Sequence, residues 1–210
     1  MAAQISLPIF PLPDLAFFPH TMLPLHIFEA RYRAMVTDCL ARDKRLAVVG
    51  LKPGYETSYE GKPAVYEITG IGRIVRWERL PTGRYNLLLR GEERARIERE
   101  LPADTLYRMA AVTVLRETGG AGAAVPALLR RVKARCREIL SAVGRSGADL
   151  QVEALEEPGE LCDLVASALI PTPTTRQALL EDLDVERRLD RLAVALDDLL
   201  SQLTGEGGRA

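Results

Sequence analysis

The sequence predicts an α+β protein in which a sheet-forming half with one early helix precedes an all-helical half. Three observations carry this. The apolar opening, residues 7–24, holds five prolines and so cannot be helical. Residues 45–115 break into short apolar or alternating runs separated by turn residues. Beyond the small-residue stretch "TGGAGAA" the apolar positions recur at helical spacing.

Taken in order, Leu7, Ile9 and Leu12 are interleaved with prolines, which fix φ and remove backbone donors. An edge strand or an extended ribbon follows, because sheets accept proline at edges, starts and bulges. From Pro24 to about Asp43, Ile27, Phe28, Arg31, Tyr32, Met35, Val36 and Leu40 read as one short helix. "RLAVVGL" is a strand, and "YETSYEGKPAVYEITGIGRIVRWERL" carries two more, split at Gly61-Lys62-Pro63. A turn at Pro81-Thr82-Gly83 opens the next, and "YRMAAVTVLRE" is the last. Five or six short strands joined by tight turns suggest a small barrel or a folded-over sheet.

The expected domains are a β domain over 1–117, a Gly/Ala linker over 118–124, a helical bundle over 125–204 and a flexible tail over 205–210. In the bundle, Val125, Leu128, Leu129, Val132, Cys136, Ile139, Leu140 and Val143 form one stripe, stopped by Gly144 and Gly147. "EPGELCDLVASALIP" makes a second helix. "TTRQALLED" makes a third, with Thr174 or Thr175 as N-cap, and Asp184 caps a fourth.

Composition narrows function. With 28 basic and 29 acidic side chains the net charge is −1, so a nucleic acid or anionic membrane would need a local patch. The N-terminus lacks a signal-peptide pattern and no run approaches the ~20 apolar residues of a membrane span, so a cytoplasmic protein with no membrane partner is expected. Cys39, Cys136 and Cys162 are odd in number, far apart and set in apolar helical patterns. They read as packing residues, with no disulfide framework, metal site or other cofactor site.

Catalytic patterns are scarce. Neither a "GxxxxGK[ST]" phosphate loop nor "GxSxG" nor "HExxH" occurs. The two histidines, His20 and His26, lie in the proline-rich entry, and Gly70-Ile71-Gly72 sits inside a strand pattern, where it reads as a bulge or a close backbone approach. One cluster stands out: eight arginines between Arg73 and Arg99, beside Trp77 and Tyr85. Basic strands with aromatics can hold single-stranded nucleic acid. Glu78, Glu92, Glu93, Glu98 and Glu100 share the segment, and cross-strand Arg–Glu pairing accounts for both signs at once.

The stretch "LPIFPLPDLAFFPHTMLPLHIFEARYRAMV" resembles the N-terminal, substrate-binding domain of Lon-type ATP-dependent proteases, and more closely the small bacterial proteins made only of that domain. "YEITGIGRIVRWERLPTGRYNLLLRGEERARI" and "ALIPTPTTRQALLEDLDVERRLDRLAVAL" extend the resemblance from Leu7 to about Leu200. Two positions depart from the family: His20 where glycine is common, and Ala30 where proline is common. The resemblance implies a PUA-like β-barrel with an early helix, then an α-helical bundle. The sequence ends at Ala210, before the ATPase and Ser–Lys peptidase modules of a Lon protease, so the chain is expected not to be an enzyme.

The function this implies is recognition of unfolded or peptide-like protein segments, as an adaptor or chaperone-like factor, with a separate protease or ATPase as a further partner. A groove between barrel and bundle would supply a strand edge and apolar pockets. The candidate site residues are Leu15, Phe17, Phe18, Leu25 and Phe28, all equally suited to a core. The alternative is an RNA-binding PUA-like protein using Arg73, Arg76, Trp77, Arg84 and Arg90.

Overall fold

The computed structural model describes residues 4–57, 61–102, 104–144 and 152–205. The chain divides into two compact units, Met1–Leu115 and Arg116–Ala210.

The first unit is a six-stranded sheet with one helix. Its strands are β1 (Gln4–Leu12), β2 (Met22–Ile27), β3 (Arg45–Gly50), β4 (Ile68–Arg79), β5 (Tyr85–Leu101) and β6 (Arg108–Leu115), and α1 (Ala30–Leu40) follows β2. The spatial order is β2-β5-β4-β3-β1-β6, and β6 also pairs with β5, so the pairings form a circuit through β5, β4, β3, β1 and β6. All pairs are antiparallel except β1 with β3. The long β5 serves two partners on one flank, β2 along Tyr85–Arg90 and β6 along Arg94–Leu101.

The prolines of β1 are accommodated differently from an edge strand. β6 pairs with Gln4–Ile9 and β3 with Ile9–Leu12. Pro8 therefore has a ladder only toward β6 and Pro11 only toward β3, so the strand is interior to the sheet although each proline has one open flank. The helical reading from Pro24 is corrected: Met22–Ile27 is strand and the helix begins at Ala30. Pro24 accounts for this, since proline cannot continue a helical hydrogen-bond ladder. The strand expected ahead of Gly61 is not seen among the described residues. Tyr55–Thr57 is a single 3₁₀ turn, and residues 58–60 lie outside the described set.

Both faces of the sheet are apolar, as the unbroken apolar run of β3 requires. Leu46 and Val48 join Phe10, Tyr32, Met35 and Val36, under α1. Ala47 and Val49 join Leu7, Ile9, Ile71, Ala95 and Val112 on the other face.

Glycine makes room for the segment between β1 and β2. A methyl group at Gly70 would stand 2.0 Å from the Phe17 carbonyl oxygen, and one at Gly91 would stand 2.0 Å from that of Phe18. At Gly72 it would meet the Phe17 ring at 2.5 Å. Gly70 and Gly72 thus serve a close backbone approach, with a register shift between Ile71 and Gly72. His20 follows in the left-handed region, φ 63°, its N–H bonded to the Gly91 carbonyl at 3.0 Å. That conformation suits glycine. Ala30 is the first residue of α1, where proline also fits.

The second unit comprises α2 (Val125–Ala142), α3 (Pro158–Leu169), α4 (Pro173–Glu181) and α5 (Val185–Thr204). α5 packs against the other three. It starts at the Asp184 cap, whose carboxylate accepts the Arg187 N–H at 3.0 Å. α4 begins after Thr172 rather than at Thr174 or Thr175, with Pro173 in its first turn. Of the expected stops, Gly144 has φ 70° after α2, while Gly147 and residues 206–210 of the expected tail lie outside the described residues. Thr118 bridges to Asp184, and Glu117 binds the fully buried Arg188 at 2.6 Å, close to Asp163 at 3.7 Å.

Two predictions follow from the glycine seat. Gly70→Ala should destabilise the protein by at least about 3 kcal/mol in urea unfolding, because backbone cannot yield as a side chain does, whereas Gly120→Ala, with open space around it, should be nearly neutral. His20→Gly should stabilise by about 0.5 to 1 kcal/mol, the relieved left-handed strain exceeding the added chain entropy.

Candidate functional site

β2 is the end strand of the sheet order and, among the described residues, pairs only with β5. Its burial alternates with period two: Leu23 and Leu25 are half-buried and Ile27 buried, while Met22, Pro24 and His26 are exposed. The Gly91 N–H bonds to the Thr21 carbonyl at 2.8 Å. By alternation Leu23, Leu25 and Ile27 also direct their backbone groups toward β5, and Met22, Pro24 and His26 direct theirs to the open edge.

The register builds three rows on the outer face. Met22 lies beside Arg90 and then Arg73, Pro24 beside Leu88 and then Arg76, and His26 beside Asn86 and then Glu78. His26 Nδ1 is 2.7 Å from Asn86 Oδ1, and the Phe28 ring lies 6.3 Å from the imidazole, nearly parallel to it. Phe28 is 60% exposed and Met22 50%, large apolar side chains at opposite ends of one open strand.

The sequence candidates separate on this geometry. Phe17 and Phe18 are 3% and 0% exposed and present no surface to a ligand. Phe17 belongs to the core under α1, and the buried Arg94 guanidinium lies 5.9 Å from the Phe18 ring centroid. Leu15 and Leu25 are half-buried and pack on the same core as Phe17. Phe28 alone of the five is fully displayed. Met22, His26 and Leu88 join it in the structure. Period-two alternation in "MLPLHI" is the signal for Met22 and His26, obscured by Pro24 and by the helical spacing that starts at Ile27, while Leu88 joins through the β2–β5 register.

The arginines also divide. Arg73 Nε donates to Glu92 at 2.7 Å, Arg90 approaches the same carboxylate at 3.4 Å, and Arg45 bonds to Glu93 and lies 3.5 Å from Glu92. Glu92 is partly buried, which alone would raise its pKa. The Arg73 hydrogen bond and the charges of Arg73 and Arg45 nevertheless hold it below the usual carboxylate range. Arg76 and Arg84 are exposed and form no ion pair among the described residues. Trp77 is 43% exposed, its ring under the Lys44 ammonium at 4.3 Å. Glu92 thus absorbs Arg73 across the strands and Arg90 along β5, and leaves Arg76 and Arg84 available.

A concavity of about 550 Å³ lies in the same unit, lined by Pro11, Tyr32, Leu51, Pro63, Leu106 and Tyr107 among others. Burial, then the 2.6 Å hydrogen bond it donates to Asp38, pushes Tyr107 up to about 12, so this phenol is a donor and no base at neutral pH. On its wall Arg108 bonds to Glu100. That bond, against partial burial, lowers Glu100. Burial, then the charges of Asp43 and Asp38, pushes the Cys39 thiol to about 12, and burial does the same for Cys136. Among the described residues no group of three His, Cys, Asp or Glu could hold a metal ion, and no helix is long and apolar enough to cross a membrane.

An α+β chain with a sheet unit followed by a helical unit has counterparts among known proteins. The N-terminal domain of a Mycobacterium avium complex Lon protease superposes with a TM-score of 0.75 over 92% of this chain and 99% of that domain, at 22% identity. A Lon N-terminal domain protein from Xanthomonas campestris gives 0.67 over 90% and 98%, also at 22% identity. Both likenesses are of fold. In sequence, Lon protease 2 of Herpetosiphon aurantiacus is 28% identical over 204 residues, and the Lon protease of Desulfovibrio desulfuricans 29% over 189. These matches cover 96% and 89% of this chain but only 25% and 21% of the relatives, so the chain spans about a quarter of their length. Residues 6–198 match the substrate-binding domain of ATP-dependent protease La (Lon), and the chain belongs to that family.

The arginine-held carboxylates set a pH dependence. Glu92 and Glu100 bind protons less readily folded than unfolded, so their stabilisation is complete above the ordinary glutamate value of 4.5 and is lost as pH falls through the lower folded-state values. Urea midpoints should be nearly constant from pH 7 to 5 and drop below about pH 4, with a shallower drop in Glu92→Gln. An unchanged slope in that variant would remove Glu92 from the account.

Proposed function

We propose that this chain is a non-catalytic protein-binding module that recognises exposed apolar segments of unfolded proteins, as an adaptor or chaperone-like factor. Family membership supports a substrate-binding role. The observation that carries the finer reading is the open strand β2, with Met22 and Phe28 displayed at its two ends and one side of its backbone unpaired. An extended segment can pair with such an edge while its side chains meet the apolar ones. The closed circuit of strand pairings supports the PUA-like barrel reading of the sheet, and the packing of α2, α3 and α4 on α5 supports a helical bundle. The division near residue 115 supports a two-domain organisation. A separate protease or ATPase is the class of partner that would receive what such an adaptor holds.

The test is fluorescence anisotropy of a labelled, permanently unfolded protein, with its folded form as control. Saturable binding of the unfolded form alone is expected. Met22→Ser with Phe28→Ser should weaken it at least about tenfold, since each residue can bury about 1.5 to 3 kcal/mol of side chain against a ligand, while the melting temperature holds. Unaltered affinity in the double variant would move the site elsewhere, and equal binding of folded and unfolded forms would end the reading.

A further inference from the structure

We infer that the β2 face selects apolar segments flanked by acidic residues, with Arg76 and Arg84 as the selecting groups. The inference rests on the proposed segment-binding role of β2 and adds its charge preference. Arg76 stands in the same cross-strand row as Leu88 and Pro24, two strand spacings, roughly 10 Å, from the open edge. Arg84 directly precedes Tyr85, the partner of Ile27, so it flanks the end of β2 from which Phe28 extends, while Arg79 lies in the row of the buried Tyr85 and Ile27 and faces the other side. Arg76 and Arg84 are both exposed.

Among the described residues their charge has no ion-pair partner. The other cations of the face are taken: Arg73 and Arg90 share Glu92. Arg31, just past Phe28, pairs with Glu29 at 2.9 Å. Arg76 and Arg84 form no ion pair among the described residues, and Glu78 is the one acid in the three rows. Two unpaired cations against one anion leave a positive rim beside an apolar edge. Guanidinium groups so placed attract carboxylates of a bound segment and repel lysines, which tunes choice of partner and encounter rate more than total affinity. A chain that is −1 overall keeps this field local to the face.

The experiment uses the full chain and three labelled twelve-residue peptides with one shared apolar centre, flanked by aspartates, by serines or by lysines. Anisotropy is read at 50 and 500 mM salt. At low salt the aspartate peptide should bind about fivefold tighter than the serine peptide and the lysine peptide about fivefold weaker, converging at high salt. Arg76→Gln should narrow the spread, and Arg76→Glu with Arg84→Glu should invert the order, with serine-peptide affinity held. Serine-peptide binding with no charge preference would overturn the inference and leave the segment-binding reading standing. No binding of any peptide would overturn both. A uridine oligonucleotide that displaces the peptides through Arg76 would overturn it in favour of RNA. A concentration-dependent dimer abolished by Met22→Ser would overturn it in favour of a self-interface.

Discussion

The sheet unit depends on one steric constraint: the backbone of Phe17-Phe18 lies directly against β4 and β5. Three positions, Gly70, Gly72 and Gly91, carry no Cβ where one would collide with that segment. The seat is fastened by polar bonds as well. Thr21 Oγ1 donates to the Phe18 carbonyl at 2.7 Å, and the Gly91 N–H and C=O bond to Thr21 and His20. Gly91 also stands just past the β2 stretch of β5, three residues before the β6 stretch begins at Arg94. The crossing segment therefore fixes where β5 changes partners, and so where β2 ends up: outside the closed circuit, with one edge open.

Electrostatics on the outer face follow from the same placement. Aligning β2, β5 and β4 puts arginine-rich β4 and β5 side by side, and Glu92 answers the resulting crowding by serving Arg73, Arg90 and Arg45 together. Such exposed or half-exposed pairs contribute little to stability individually. Their effect here is on which cations stay free. The helical unit handles charge in the opposite way, burying Arg188 completely beside Glu117 and Asp163, where loss of one partner would leave an uncompensated buried charge.

Much of this was legible in the sequence. Proline density excluded helix at the start, β-branched runs marked β3, β4 and β6, and helical spacing marked α2, α3 and α5. Gly70-Ile71-Gly72 was readable as a close approach. The family's preferences at two departing positions also acquire a cause: glycine suits the left-handed turn now held by His20, and proline suits the first turn of α1, where Ala30 stands. The site was less legible for a physical reason. Phe17, Phe18 and Phe28 are alike as residues, and only the position of their backbone relative to a long-range strand pair decides which is core and which is surface. The interior position of β1 was hidden similarly, because its prolines are tolerated through the staggered ends of two ladders, a property of register and not of composition.

An exposed apolar strand edge is normally an aggregation hazard, and β2 carries a feature that separates binding from uncontrolled pairing. Pro24 sits at a position whose backbone faces the open edge, between the only two residues of the strand, Met22 and His26, that can donate there. A second strand can dock through these two residues and through side-chain contact, but it cannot build an uninterrupted ladder along six residues. The resulting contact is short, reversible and weighted toward side chains. On the proposed reading its strength would rest on what the segment offers to Met22, Phe28 and Leu88, with apolar content governing capture and the neighbouring arginines governing choice among apolar segments.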